Sequence, residues 1–201
     1  MKTAYVACLT VAAALGAGAQ TPSAAPSTTT AVPPAEHQIA AAVLPLPADL
    51  RGGATIMGYA PDGRFVTLRE GTGAMTCLAS DPKMERFHVA CYHKSLEPFM
   101  ARGRELRAQG VVGDQVDTVR FREARSGKLK LPKEPALLYS LTGGSFDAAT
   151  GAATGARPLF VVYMPFATVE STGLSAAPAR GSPWIMFPGT PKAHIMFTPS
   201  M

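Results

Sequence analysis

Apolar residues alternate with polar ones in the N-terminal third of the chain, which is typical of short β-strands. Two such runs, 54–60 and 65–70, flank the sequence PDGR. Proline presets the φ angle of a type I turn and the following glycine accepts positive φ, so this sequence predicts a hairpin. A third run, 74–79, follows a Gly-Thr-Gly turn. We therefore expect the three strands to form a meander.

Longer segments carry the spacing of amphipathic helices instead. Residues 95–110 begin with Ser95 as an N-cap and end at Gly110, and their apolar side chains share one face. Residues 114–126 fit a strand or a helix, and a run of good helix formers before a glycine favours the helix. A shorter helix is predicted at 36–44, where prolines end it.

The C-terminal half predicts more strands, at 136–141, at 159–167 as a buried central strand, and at 184–187 with 193–197 as a closing hairpin. Residues 83–91 are ambiguous between a short helix and an irregular segment, and 142–156 predict a loop. The predicted class is α+β, with an antiparallel or mixed sheet of about five to seven strands, two or three helices on one side, and one disulfide.

The N-terminus has the pattern of a secretory signal peptide. Residues 1–19 have one cation, an apolar core, and Ala17 and Ala19 before the predicted cleavage site. Residues 20–34 contain Ser, Thr, Pro and Ala without charge, which predicts a disordered linker. Residues 35–201 are predicted to form a single α+β domain. No other run predicts a transmembrane segment, so we expect a secreted or periplasmic protein.

Cysteine usage agrees with export. Cys8 leaves with the signal peptide, and the mature chain keeps Cys77 and Cys91. Two cysteines in an oxidising compartment predict one disulfide. We expect this bridge to tie the third strand to the start of the 95–110 helix.

A soft-metal site is the alternative use of these cysteines. With His88 and His93 they would form a two-cysteine, two-histidine shell for zinc or copper, although the spacing fits no finger pattern. His194 and Met196 are a second candidate, because period-two spacing puts both on one face of a strand, with Met186 opposite. Oxidation favours the disulfide and methionines commonly fill cores, so no metal or cofactor is expected.

Positive charge is concentrated in one segment. Between residues 102 and 133 there are nine cations and four acids, in a chain with a formal charge of +5. This excess predicts either a solvated helical face or a patch that contacts an anionic cell-envelope component, and nucleic acid is not an expected partner outside the cytoplasm. The predicted patch consists of Arg102, Arg104, Arg107, Arg120, Arg122, Arg125, Lys128 and Lys130.

Two segments resemble a known group of proteins. GKLKLPKEPALLYSL at 127–141 and PWIMFPGTPKAHIMF at 183–197 are similar to segments of secreted proteins of soil (acidobacteria-like) bacteria, a family without a known activity. Those relatives often have a tryptophan where this chain has Ala74 and Met75. The resemblance covers most of the mature chain and implies an autonomous secreted domain.

Aromatic residues concentrate near the C-terminus, where they would form a sugar or peptide groove if exposed together and a core if buried. They are Phe160, Tyr163, Phe166, Trp184, Phe187 and Phe197. The sequence contains no nucleophile elbow, phosphate loop or carboxylate pair that can be recognised locally. Catalysis is therefore undecided and less favoured than binding. We expect a secreted or periplasmic non-catalytic binding or structural domain, with a periplasmic copper or zinc protein and a hydrolase as the alternatives.

Overall fold

An eight-stranded mixed sheet forms the centre of the structure. The computed structural model describes Met1, residues 31–178 and residues 181–199. The predicted signal peptide and most of the predicted linker fall within 2–30, outside the described residues.

Helices and strands follow one another along the described chain. The helices are α1 (Ala35–Ala42), α2 (Ala48–Arg51), α3 (Glu97–Ala108), α4 (Gln115–Arg125) and α5 (Val169–Thr172). The strands are β1 (Thr55–Tyr59), β2 (Phe65–Arg69), β3 (Met75–Leu78), β4 (His88–His93), β5 (Ala136–Thr142), β6 (Ser145–Asp147), β7 (Ala152–Thr154), β8 (Arg157–Tyr163), β9 (Trp184–Met186) and β10 (His194–Phe197).

The strand order in the main sheet is β2-β1-β3-β4-β5-β8-β10-β9. β1 and β3 are parallel, and every other neighbouring pair is antiparallel. β6 and β7 form a separate two-stranded ribbon. The α+β class and the mixed sheet are confirmed. The main sheet of eight strands and the five described helices exceed the expected five to seven strands and two or three helices.

β3 lies on the opposite side of β1 from β2, so the predicted meander is wrong. After β2 the chain passes across the start of β1, where the amide of Gly73 donates to the carbonyl oxygen of Gly53 at 2.7 Å. A Cβ at Gly71 would overlap the backbone of Gly53 and Ala54, so a glycine is required there. The glycines therefore serve a close crossing of two backbones, and not the hairpin turn that their sequence suggested.

Most of β4, a central strand, falls within 83–91, the segment that was ambiguous between a short helix and an irregular crossing. β4 pairs with β3 on one side and with β5 on the other. Its residues Val89, Ala90, Cys91 and Tyr92 are all buried. A strand that is buried on both faces loses the alternation of apolar and polar residues, which is why the pattern was ambiguous.

Helices cover both faces of the sheet, in contrast to the single face that was expected. α1 packs against β1 and β4, where Ala42 and Ile56 join the two cysteines in one apolar cluster. On the other face, Phe99 of α3 packs with Tyr92 and Val161 in a second cluster. The sheet therefore separates two cores.

One buried cation joins α3 to α4. Arg120 of α4 is 5 % exposed, and its Nη1 donates to the carbonyl oxygen of Phe99 at 3.1 Å. Its guanidinium lies 3.9 Å from the centroid of the Phe99 ring and pairs with Asp117. A Cβ at Gly103 would lie 2.9 Å from Nη1 of Arg120. Gly103 thus makes room for this side chain inside a helix, where glycine is otherwise unfavourable.

Most other predicted elements are confirmed with shifted ends. The 95–110 helix is present as α3, but Ser95 is not its N-cap, because Ser95 lies in a 3₁₀ turn, Lys94–Leu96, and the N-cap position is Leu96. The ambiguous 114–126 segment is the helix α4, as preferred. The C-terminal hairpin is formed by β9 and β10. β8 ends at Tyr163, before Pro165, and the segment predicted as a loop contains β6 and β7.

Candidate functional site

A cleft of about 860 Å³ lies between the strands β1 to β4 and the C-terminal half of α3. Strand residues form its floor, and the loop between β3 and β4 forms part of its rim. We call it the α3 cleft. Its lining consists of Tyr59, Phe65, Leu78, Ala79, Asp81, Lys83, Met84, Arg86, His88, Ala90, Arg104, Glu105, Arg107, Ala108 and Thr142.

Two aromatic rings from the first hairpin form one wall of the cleft. Tyr59 and Phe65 are paired in register, and their ring centroids lie 5.3 Å apart in an edge-to-face arrangement. The buried side chain of Gln38 accepts from the Tyr59 amide at 2.8 Å and donates to its carbonyl oxygen at 2.9 Å. Burial and the neighbouring Asp81 raise the pKa of Tyr59 to about 12. This wall is fixed in position and uncharged at neutral pH.

Arg104 of α3 lies beside this aromatic pair and is held by two other residues. Its Nη2 lies 2.5 Å from Oε1 of Glu97, and its Nη1 donates to the Tyr92 hydroxyl at 2.9 Å. The guanidinium carbon is 5.6 Å from the Phe65 ring centroid. Burial, together with the hydrogen bond to Glu97, raises the pKa of Tyr92, whose hydroxyl remains a donor. Arg104 is therefore immobilised, and Glu97 balances its charge.

The charges left around the cleft are mainly positive. Ion pairs with residues outside the lining engage Arg104 and Glu105. Three other cations of the lining are exposed, and none of them forms an ion pair with a described residue. They are Lys83, Arg86 and Arg107. Asp81 is the acid that remains beside them. The cleft thus combines an apolar interior with excess positive charge at its rim.

Sequence reasoning did not identify this cleft. Its lining comes from the strands β1 to β4, the β3–β4 connection, α3 and the end of β5, which only the folded sheet brings together. Arg104 and Arg107 were predicted as site residues, but as part of a basic patch. Their spacing of three residues on α3, which places them on neighbouring positions of one helix side, was the available signal.

The predicted disulfide is present. The Sγ atoms of Cys77 and Cys91 are 2.05 Å apart, and both residues are fully buried. The two cysteines are directly opposite in the antiparallel register of β3 and β4. The bridge therefore joins two neighbouring strands, and not a strand to the start of α3 as expected. Since the sulfurs are bonded to each other, they are not available as thiolate ligands.

The two histidines of β4 do not come together. Nδ1 of His88 lies 2.8 Å from Oγ1 of Thr142, and Nδ1 of His93 lies 2.8 Å from Oγ of Ser95. Five positions separate them along the strand, so their side chains leave opposite faces of the sheet. Within the described part of the chain, no group of three or more His, Cys, Asp or Glu residues could hold a metal ion.

The other soft-ligand candidates share one face, as their spacing predicted. His194 is paired in register with Met186, and Met196 follows two positions later on β10. His194 is buried, and its Nδ1 lies 2.7 Å from the carbonyl oxygen of Lys192. Its ring packs at 5.0 Å from the ring of Tyr163, measured between centroids. This histidine is thus a packed core residue with one nitrogen already engaged.

The predicted basic patch is divided in the structure. Arg120 is buried between α3 and α4 and does not belong to the surface. Arg102 forms two hydrogen bonds of 2.8 Å with Glu123, and Arg104 is held at Glu97. The exposed members without an ion pair among the described residues are Arg107, Arg122, Arg125, Lys128 and Lys130.

The C-terminal aromatic residues are divided between core and surface. Trp184 and Tyr163 are each 8 % exposed. Phe160 and Phe197 line, together with Tyr139, an open apolar concavity of about 550 Å³ on the α1 side of the sheet. The large aromatic residues that are exposed are Phe166, Phe187 and Phe197. They therefore form neither one common core nor one common groove.

No described helix has the length and apolar character needed to cross a membrane. The chain matches no protein-family model. Comparison with curated proteins finds no match. Comparison with solved structures finds none either. The resemblance to secreted proteins of soil bacteria stays a prediction, and the α3 cleft is the main indication of function.

Proposed function

We propose that this protein is a secreted or periplasmic, non-catalytic binding domain that holds a small ligand in the α3 cleft. The observation that carries the proposal is a cleft of about 860 Å³ with an apolar floor, two aromatic rings and a rim of charged side chains. Small-molecule sites typically measure about 300–1,000 Å³, are mostly apolar and are largely formed before the ligand arrives.

The walls of the cleft are held in place by contacts outside it. Gln38 fixes the backbone of Tyr59, and Glu97 with Tyr92 fixes the guanidinium of Arg104. A site whose side chains are already ordered loses less conformational entropy when it binds. This preorganisation favours a ligand-binding site over a surface depression without function.

The proposed location is supported by the disulfide. Disulfides persist in oxidising compartments and are rare in the cytosol, and the Cys77–Cys91 bridge is compatible with an extracellular or periplasmic protein.

A thermal-shift screen with a matched pair of variants tests the proposal. Ala108 lines the cleft from the exposed last turn of α3, and Gln109 is the exposed next residue outside the lining. A small organic compound at about 100 times its Kd stabilises its protein by roughly 2.7 kcal/mol. We expect hits that stabilise the wild type and Gln109→Trp but not Ala108→Trp, in which indole fills the cleft. A screen without hits, or hits that stabilise Ala108→Trp equally, would contradict the proposal.

A second candidate function is contact with an anionic cell-envelope component. The observation that favours it is a set of exposed cations, from α4 into the next turn, that form no ion pair with any residue the structure describes. They are Arg122, Arg125, Lys128 and Lys130. Exposed charges are screened within about 8 Å at physiological ionic strength, so binding to anionic vesicles should weaken steeply with salt. Equal binding at low and high salt, or after Arg122→Ser and Arg125→Ser, would exclude this function.

A further inference from the structure

We propose that the α3 cleft selects an amphipathic organic anion, with its apolar or aromatic body against Tyr59, Phe65 and Leu78 and its anionic group facing Arg107. This inference rests on the proposed function and adds the chemical class of the ligand. It goes beyond the general basic surface, because it places one apolar contact area and one anion contact in the same cavity.

The floor and the hairpin wall offer an apolar contact area to the ligand. Leu78 and Ala90 are paired in register on β3 and β4 and both line the cleft. The edge-to-face rings of Tyr59 and Phe65 stand beside them. Met84 lies at the rim and is 64 % exposed. Methionine is flexible and polarizable, so it can close over an apolar body of varied shape.

The anion contact is inferred from cations of the lining that take part in none of the ion pairs of the described chain. Three exposed cations line the cleft from two sides, since Lys83 and Arg86 belong to the β3–β4 connection and Arg107 to α3. The lining contains two acids, of which Glu105 is paired with Arg102, and Asp81 takes part in none of the described ion pairs. A guanidinium donates two parallel hydrogen bonds to a carboxylate, sulfonate or phosphate group. The excess of cations therefore favours an anion over a neutral or positive group.

Arg104 and Arg107 have different roles in this arrangement. Both Nη atoms of Arg104 are engaged, one by Glu97 and one by Tyr92, and its guanidinium lies beside the Phe65 ring. It is a positioning residue that forms part of the aromatic wall. Arg107 lines the cleft, is exposed and takes part in none of the described ion pairs. Its Nη1 lies close to the Gly103 position, and because the side chain is exposed it is free to turn its guanidinium toward an anion in the cleft.

Two dyes with the same aromatic body test the inference. 8-Anilinonaphthalene-1-sulfonate is an amphipathic anion, and N-phenyl-1-naphthylamine has the same ring system without the sulfonate. Titration of each dye into the full-length protein, followed by fluorescence, measures the contribution of the anionic group. We expect the sulfonate to bind about tenfold more tightly, the gain expected of a charge-assisted hydrogen bond in a partly exposed site.

The variants assign that gain to the cleft. Arg107→Gln should bring the affinity of the sulfonate down to that of the neutral dye, and Arg125→Gln, an exposed cation of α4 outside the lining, should leave it unchanged. Ala108→Trp should abolish binding of both dyes. Added salt should weaken binding of the sulfonate alone. An unchanged melting temperature confirms that each variant is folded.

The outcomes distinguish failure of the cleft as a binding site from failure of its selectivity for anions. Equal affinities of the two dyes, with both lost in Ala108→Trp, would leave the cleft as a binding site and overturn its selection of anions. Binding that survives Ala108→Trp but is lost in Phe197→Ser would place the dyes in the aromatic concavity on the α1 side and overturn both proposals. Absence of any fluorescence gain up to millimolar protein would overturn both as well.

Discussion

Replacing Gly103 with alanine tests how α3 and α4 are joined. A glycine in a helix interior costs about 1 kcal/mol relative to alanine, so at an open site this replacement would stabilise the protein by that amount. Gly103 is not an open site, because a Cβ there would lie 2.9 Å from Nη1 of Arg120 and 3.2 Å from Nη1 of Arg107. Arg107 is exposed and can move away. Arg120 is buried and cannot.

The magnitude follows from the contact that Arg120 would lose. Its Nη1 donates to the carbonyl oxygen of Phe99 at 3.1 Å, and hydrogen bonds of charged groups contribute about 1.5–3 kcal/mol. Subtracting about 1 kcal/mol of gained helix propensity leaves a net loss of about 0.5–2 kcal/mol. In a chain of this size, a change of about 1 kcal/mol lowers the melting temperature by about 2–4 °C.

A double-mutant cycle separates the two opposing effects. Thermal and urea unfolding would be measured for the wild type, Gly103→Ala, Arg120→Met and the double variant. Gly103→Ala should destabilise the wild type and stabilise the Arg120→Met protein, in which no guanidinium opposes the new methyl group. Equal stabilisation in both backgrounds would refute the argument that Gly103 exists to admit Arg120.

Three further predictions concern the core, the disulfide and acid stability. Trp184 is 8 % exposed and is the chain's one tryptophan, so its fluorescence should resist iodide quenching and Trp184→Ala should cost about 3–5 kcal/mol in urea unfolding. Under denaturing, non-reducing conditions, intact-mass analysis should find Cys77 and Cys91 inert to alkylation, and reduction should cost roughly 3 kcal/mol for a sequence separation of 14 residues. Asp117 titrates below its usual pKa because, although burial raises that pKa, hydrogen bonds from Lys192 and Arg120 lower it more. Its contribution to stability should thus be complete above about pH 4 and lost as the pH falls below it, so Asp117→Asn should flatten that part of the stability profile; an unchanged profile would contradict this assignment.

Sequence patterns predicted the elements whose signals are local. The C-terminal ends of α3 and α4 agree with the glycines in the sequence, since Gly110 and Gly127 both have positive φ, and the hairpin of β9 and β10 agrees with its flanking apolar runs. The prediction of Ser95 as the N-cap of α3 was wrong, because a 3₁₀ turn over Lys94–Leu96 precedes the helix and places Leu96 at that position. β4 was missed because burial on both faces removed its alternation. The position of β3 was wrong because Gly71 and Gly73 permit a close backbone crossing, which no local pattern distinguishes from a turn.

The candidate site depends on contacts that are distant along the chain. The pairing of Cys77 with Cys91 followed from the cysteine count, but their direct opposition on adjacent strands required the register. The burial of Arg120 could not be predicted, because only the close packing of two helices shows where its charge is satisfied. The α3 cleft required the order of the sheet, which brings the first hairpin and the end of β5 to the same side.

The position of the disulfide has a consequence for the opposite side of the sheet. Side chains alternate along a strand, so a slip of β3 against β4 by one residue would turn Leu78 or Ala90 away from the cleft and toward α1. A covalent bond between the directly opposed Cys77 and Cys91 forbids that slip. The sulfurs lie on the α1 side of the sheet, where Sγ of Cys91 is 3.1 Å from the carbonyl oxygen of Ala42, yet they determine which side chains the floor presents. The bridge thus fixes the register of β3 and β4, and through the register it determines which side chains form the ligand surface on the opposite face of the same two strands.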